Sequence, residues 1–109
     1  MCGLLFGSPD AIDAATPAVN VAPDPARHFE IAPQTLLAAH RAARTGGPAV
    51  IGHYHSHPGG LAQPSVIDAA AAHADGALWL IVADGDAQLW RAGEAGLHGC
   101  FRPERLVVA

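Results

Sequence analysis

An apolar run, residues 49–52, passes without a break into histidines at every second position, His53, His55 and His57. Alternate side chains of a β-strand point to the same face, so the three imidazoles are expected on one face of one strand. Neighbours in such a row lie about 6.6 Å apart, and the outer pair about 13 Å apart. Two neighbouring histidines can therefore share one metal ion with bonds of about 2 Å, whereas three would require a sharply bent strand.

His55 belongs to either pair, and the segment after the strand distinguishes the two choices. A loop rich in Pro and Gly, residues 58–64, follows His57, and Asp68 then stands in the first turn of an expected helix. A carboxylate at that place can complete a three-ligand site with His55 and His57 and leave a fourth position for water, as in catalytic zinc sites. The alternative is structural, because Ser65 and Asp68 also have the spacing of a capping box.

The remaining sequence predicts an α/β fold in which helices pack on a central mixed β-sheet. Helices are expected at residues 34–44 and 65–74, and residues 11–27 are expected to form a loop with at most one strand, at 18–21. Strands are expected at residues 2–6, 28–31, 49–57, 77–82 and 87–91, with one or two more between 97 and 108. A chain of 109 residues is long enough for one hydrophobic core.

Composition restricts the partners and the cellular location. The formal net charge is −4 with only six Lys and Arg, so we expect no nucleic-acid partner. No apolar run approaches the roughly 20 residues of a spanning helix, and no signal peptide is visible, so we expect no membrane association. Cys2 and Cys100 lack CxxC spacing and require no disulfide, which favours a cytoplasmic protein. Cys2, beside an apolar run, is more typical of a buried hydrophobe than of a reactive thiol.

The pattern HSHP at residues 55–58, followed by SVID at residues 65–68, resembles the HxHx(10)D motif of the JAMM metalloproteases, the zinc-dependent members of the MPN domain family. The likeness extends to three further segments, residues 2–7, 29–33 and 78–82, in the order seen in short bacterial members. The resemblance covers nearly the whole chain. It implies a single JAMM/MPN-like domain over residues 1–109, with an N-terminal edge that is shortened relative to the family.

This resemblance also implies roles for particular residues. His55, His57 and Asp68 would bind Zn²⁺, and Ser65 would hydrogen-bond the tetrahedral oxyanion or the zinc-bound water. His53 is not a ligand in the family, and we expect it beside the ligands or in a buried polar contact rather than bonded to the metal. The implied partners are ubiquitin-like or sulfur-carrier proteins with a Gly-Gly tail. The leading hypothesis is therefore a zinc-dependent metalloprotease or isopeptidase that cleaves at such a tail.

The sequence departs from the family pattern at its start. The family's catalytic glutamate stands two residues before the Cys-Gly of the first strand, and here only Met1 precedes Cys2. Either the first residues are missing from this sequence, or the chain is a catalytically inactive binding or scaffold module, or Glu30 or His53 takes the role. We favour missing residues, because an intact ligand set together with Ser65 would serve no purpose in a protein that hydrolyses nothing.

Overall fold

The computed structural model describes residues 2–23, 30–57 and 60–106. The helices and strands within these residues are β1 (Cys2–Ser8), β2 (Ala11–Ala18), α1 (Pro33–Arg44), β3 (Ala49–Ser56), α2 (Val66–Ala71), β4 (Leu78–Ala83), β5 (Asp86–Leu97) and β6 (Phe101–Glu104). They confirm the predicted α/β class, a mixed β-sheet accompanied by helices. The chain divides into two units, Met1–Tyr54 and His55–Ala109. The prediction of a single domain stays a prediction.

In the first unit, β1 and β2 form an antiparallel pair in which Cys2 lies opposite Ala18 and Ser8 opposite Ala11. The turn between them has the Ser-Pro-Asp composition that favours chain reversal. Gly3 is needed in β1 because a Cβ atom there would collide with the ring of Tyr54. Buried and exposed residues do not alternate along the first half of β1, since four successive residues of this strand are buried. Such a run is typical of a strand that is covered on both faces.

Helix α1 completes the core of the first unit. Its first residue is Pro33, which suits a helix start because the missing N–H would have no intrahelical partner. Two arginines of its last turn complement the negative end of the helix dipole. The helix packs two partly buried residues, Leu36 and Ala39, against a buried cluster of Cys2, Leu4 and Ile31. The predicted helix at 34–44 is confirmed.

The second unit is built on an antiparallel meander. Strands β4 and β5 pair from Leu78 opposite Arg91 to Ala83 opposite Asp86, across a two-residue turn whose φ values are positive, as in a type I′ turn. Strand β6 then pairs with β5, with an irregular register in the second half of β5. The largest buried apolar side chains of this unit are Leu78, Trp79, Ile81, Leu89, Trp90 and Phe101.

One expectation about strands was wrong, and a second lies partly outside the described residues. A strand was expected at 18–21 within a long loop, but the strand is β2, and Asn20 makes only an isolated bridge to Ile31. Most of β2 is exposed and rich in Ala, so its pairing with β1, not its own composition, makes it a strand. Of the strand expected at 28–31, residues 28 and 29 lie outside the described residues, and Ile31 forms the bridge just mentioned.

The second helix is shorter than expected. Residues 65–74 were predicted to be helical, but α2 ends at Ala71 and Ala72 has an extended backbone. The alanines favour a helix, but the following Asp75 and Gly76 form a turn, in which the Asp75 carboxylate accepts the backbone N–H of Ala77. Within the described residues, neither helix has the length and apolar character needed to cross a membrane.

Both cysteines lie in the described part of the chain and are free thiols. The Cys2 thiol is buried and donates a hydrogen bond to the carbonyl oxygen of Ala18 at 3.5 Å. Burial raises the pKa of the Cys2 thiol, which disfavours the reactive thiolate. Its surroundings are therefore those of a small buried hydrophobe.

Candidate metal centre

The two histidines nearest the loop are placed by the end of β3. His55 belongs to the strand, and His57 follows its last residue, Ser56. The backbone N–H of His57 still donates to the carbonyl oxygen of Val82 in β4 at 2.8 Å, so the extended conformation continues one residue past the strand. Because side chains alternate along an extended chain, His55 and His57 project to the same side. Their ring centroids lie 4.8 Å apart.

The carboxylate is placed by the cap of α2. Ser65 is the N-cap residue, and its Oγ accepts the backbone N–H of Asp68 at 3.0 Å. In return, Asp68 Oδ2 accepts the backbone N–H of Ser65 at 2.9 Å, which completes the capping box. The capping box proposed from the sequence is therefore present. It orients the Asp68 carboxylate and so does not compete with a metal site.

Three ligand-type atoms converge at this point. The distance from His55 Nε2 to His57 Nε2 is 3.0 Å, that from His55 Nε2 to Asp68 Oδ2 is 3.3 Å, and that from His57 Nε2 to Asp68 Oδ2 is 3.2 Å. Ligands at about 2.0 to 2.1 Å from a tetrahedral zinc ion lie about 3.3 to 3.4 Å from one another. The triangle therefore has nearly the edge lengths of one face of a zinc tetrahedron, so these residues fit the ion.

The tautomer of His57 supports the same conclusion. Its Nδ1 lies 3.1 Å from the carbonyl oxygen of Leu61, and a carbonyl can only accept, so Nδ1 carries the proton. In the neutral ring, Nε2 then has a lone pair directed into the triangle, as a metal-binding imidazole requires. A backbone carbonyl has no side-chain signature, so no residue pattern indicates this contact.

Burial and charge distinguish the site from the rest of the described chain. Among the described residues, the buried polar side chains are His55, which is 2% exposed, and Asp68, which is 6% exposed. The ring of Trp79 lies edge-on to His55, with centroids 5.9 Å apart. Burial by itself raises the pKa of the Asp68 carboxyl. The hydrogen bonds with His55 and the Ser65 backbone and the charges of the histidines outweigh it, so this pKa lies below its ordinary value.

The other candidates from the sequence lie in the first unit. His53 stands two residues before His55 in β3 and is half-buried. Its expected place beside the ligands stays a prediction. Glu30 is exposed, and its backbone N–H donates to the Asn20 side chain at 3.0 Å. Its use as a replacement acid or base also stays a prediction.

Two imidazoles and one carboxylate on a strand end and a helix start define a candidate three-ligand metal centre. Residues 1–93 match the family described as prokaryotic homologs of the JAB domain. This chain belongs to that family, which confirms the family predicted from the HSHP and SVID segments.

Individual proteins are also similar to this chain. The chain is 36% identical over 83 residues to a protein of Haloferax volcanii named Desampylase, a match that covers 74% of this chain and 60% of the relative. The chain thus spans about three fifths of that relative. A solved structure from Desulfitobacterium hafniense is similar with a TM-score of 0.78 and 25% identity, covering 97% of this chain and 75% of the other. A structure from Salinibacter ruber has a TM-score of 0.67 and 29% identity at the same coverage.

Proposed function

We propose that this chain is a zinc-dependent hydrolase, a JAMM-type metallopeptidase or isopeptidase, in which His55, His57 and Asp68 hold Zn²⁺. The observation that carries the proposal is the triangle of ligand atoms, with edges of 3.0 to 3.3 Å. Family membership supports it, and so does the relative that bears an enzyme name, Desampylase. When bound, zinc lowers the pKa of a coordinated water and polarises a carbonyl group.

The residues of the chain have separable tasks in this proposal. His55 and Asp68 are buried, so their orientation is restricted by packing and by the capping box. Leu61 holds His57 in the tautomer that presents Nε2. The Ser65 hydroxyl oxygen accepts the Asp68 N–H, which leaves its O–H proton able to donate to a developing oxyanion. Ser65 is therefore the proposed catalytic residue of this chain.

The proposed substrate is the C-terminal Gly-Gly tail of a ubiquitin-like or sulfur-carrier protein. This substrate class rests on the family resemblance and on the name of the Haloferax relative. The proposed location is cytoplasmic, on the ground of the two free thiols.

Metal content tests the first part of the proposal. The purified chain is expected to hold one zinc per molecule by elemental analysis, and His55→Ala or Asp68→Asn is expected to lose it. His73→Ala is the matched control, because His73 is exposed and lies beyond the end of α2. Retention of zinc by His55→Ala, or an equal loss in His73→Ala, would overturn the assignment of the ligands.

Cleavage tests the second part. A ubiquitin-like protein joined through its Gly-Gly terminus to a lysine side chain is incubated with the zinc-loaded chain, and with a version extended by a glutamate before Met1. We expect cleavage only, or mainly, in the version with the added glutamate. Ser65→Ala is expected to reduce cleavage about 100-fold or more. A chain that binds zinc and the carrier but cleaves in neither form would instead be the scaffold module.

A further inference from the structure

The loop between the histidines and α2 is held by several contacts to its backbone. Its described residues, 60–65, form neither helix nor strand. Gly60 donates its backbone N–H to the carbonyl oxygen of His57 at 3.0 Å. Three carbonyl oxygens of the loop accept side-chain N–H groups, those of Leu61 from His57, of Ala62 from Trp90, and of Pro64 from His98. Two of these three donors come from outside the candidate metal centre.

Trp90 supports the histidine side of the loop. It lies in β5, it is buried, and its indole N–H donates to the buried carbonyl of Ala62 at 3.1 Å. Ala62 directly follows Leu61, whose carbonyl orients His57. The Ala62 carbonyl belongs to the next peptide group along the chain, and fixing that group restricts the direction in which the Leu61 carbonyl points. Trp90 therefore acts on His57 through two intervening residues, Ala62 and Leu61.

His98 supports the carboxylate side of the loop. It lies in the turn between β5 and β6 with a left-handed φ of 55°, and its Nε2 lies 3.0 Å from the carbonyl oxygen of Pro64. Because the carbonyl accepts, Nε2 is the donor. Pro64 directly precedes Ser65, the residue that caps α2 and orients Asp68. The same turn also lies beside α2, where the Cys100 sulfur is 3.9 Å from the Ala69 carbonyl oxygen.

We propose that Trp90 and His98 are positioning residues for the candidate metal centre. Each holds one side of the loop, Trp90 the side that sets His57 and His98 the side that sets Asp68. The inference rests on the proposed function only in naming a metal as the ligand. The six described residues of the loop, 60–65, form neither helix nor strand and can adopt many backbone conformations, so ordering them costs conformational entropy. Because Trp90 and His98 already hold the loop, metal binding does not have to supply the free energy of ordering it.

The test compares variants that remove only the donor with variants that keep it. Trp90→Phe keeps an aromatic ring and loses the N–H, and His98→Ala loses a donor that His98→Gln retains. Zinc affinity is measured by competition with a chromophoric chelator. We expect Trp90→Phe and His98→Ala each to weaken zinc binding about 10-fold or more, as loss of outer partners does at other metal sites. His98→Gln is expected to recover most of the affinity, and His40→Ala, an exposed histidine of α1, to leave it unchanged.

A second readout separates positioning from mere stability and works without metal. Amide hydrogen exchange of the loop and the melting temperature are measured in excess chelator. We expect faster exchange at 61–65 in Trp90→Phe at a temperature where the variant is fully folded. Unchanged zinc affinity in both donor-free variants, with only a lower melting temperature, would overturn the proposal. If the natural chain binds no zinc, the proposed function fails. In that case, exchange at 61–65 that is no faster in Trp90→Phe than in the natural chain would overturn the positioning role as well. Faster exchange in Trp90→Phe would support it.

Discussion

The two units of the chain differ in what they bury. In the described part of the first unit, the buried side chains are apolar, Cys2, Leu4, Leu5 and Ile31. The second unit buries a larger apolar set and, with it, His55 and Asp68. A buried polar group is costly unless it is paired, so its presence requires a compensating contact. The difference indicates that the first unit is organised by packing, and that part of the second is organised around the convergence of two imidazoles and a carboxylate.

The two helices show the same contrast. Helix α1 has twelve residues, and among the described residues no side chain caps its first turn. Its stability comes from packing Leu36 and Ala39 on the core. Helix α2 has six residues, too few to be stable alone, and exposes Val66 and Ile67 at its start. It is held by its capping box, so its main structural result is the fixed position of Asp68.

The largest effect is expected from a cavity in the first unit. Leu5 is fully buried, and Leu5→Ala should lower the free energy of unfolding by about 2 to 5 kcal/mol. Urea unfolding measures this change, and Leu37→Ala, at an exposed leucine of α1, is the matched control. Zinc content under native conditions should stay at one per chain. A folded Leu5→Ala protein without zinc would break the contrast between the units.

An intermediate effect is expected at the cap of α2. Ser65→Ala removes the acceptor for the Asp68 N–H, which should lower the free energy of unfolding by about 0.5 to 2 kcal/mol. Unlike Leu5→Ala, it should also weaken zinc binding, because the cap orients the carboxylate.

Ser65→Asp separates the two roles of the serine. An ionised aspartate can cap a helix but, unlike serine, has no proton to donate to an oxyanion. We therefore expect near-normal stability and retained zinc, with loss of cleavage. Normal cleavage by Ser65→Asp would remove Ser65 from the catalytic proposal.

The dependence of stability on acidic pH offers a further test, in which the expected change is smaller and is reversed when the pH is raised again. The pKa of Asp68 in the folded chain lies below its ordinary value, so folding favours the ionised carboxylate. Its contribution is present above the unfolded pKa of about 3.9 and is lost as the pH falls through the folded-state pKa. Urea unfolding in chelator should therefore show a stability loss on acidification that Asp68→Asn reduces. Asp13→Asn, at an exposed residue of β2, is the control, and an equal loss in both variants would contradict the assignment.

The smallest effect is expected from an ion pair away from the site. Arg91 Nε lies 2.8 Å from Glu104 Oε1 across β5 and β6, and both side chains are partly exposed. Glu104→Gln should cost less than about 1 kcal/mol of stability, and less still at high salt. Zinc affinity should not change. A clear loss of zinc affinity would show that zinc binding depends on the second unit as a whole and not on the metal centre alone.

The parts of the site that follow local rules were predictable from the sequence. Alternation along a strand placed His55 and His57 on one side, and the Ser-x-x-Asp spacing predicted the cap. The Ser-x-x-Asp spacing by itself presents capping and metal binding as alternatives, although Asp68 Oδ2 faces both the Ser65 N–H and the imidazoles. A carboxylate oxygen has two lone pairs, so Asp68 Oδ2 can accept the Ser65 N–H and also bind a metal ion. The spacing alone does not show it.

The parts that depend on tertiary contacts were not predictable. Strand β2 exists because β1 pairs with it, and its own residues carry little strand propensity. The Leu61 carbonyl that orients His57 is a backbone atom, and the Trp90 donor comes from a strand far along the chain. Neither contact corresponds to a fixed spacing between residues in the sequence. Residues that position a site through backbone groups are therefore found only from coordinates.

The most direct test of the central claim is anomalous X-ray diffraction at the zinc edge, from crystals of the chain supplied with one equivalent of zinc. We predict one strong anomalous peak about 2.0 to 2.1 Å from His55 Nε2, His57 Nε2 and an Asp68 carboxylate oxygen. A crystal in which Ser65 and Asp68 still cap α2, but in which zinc lies elsewhere or binds nowhere, would contradict the claim.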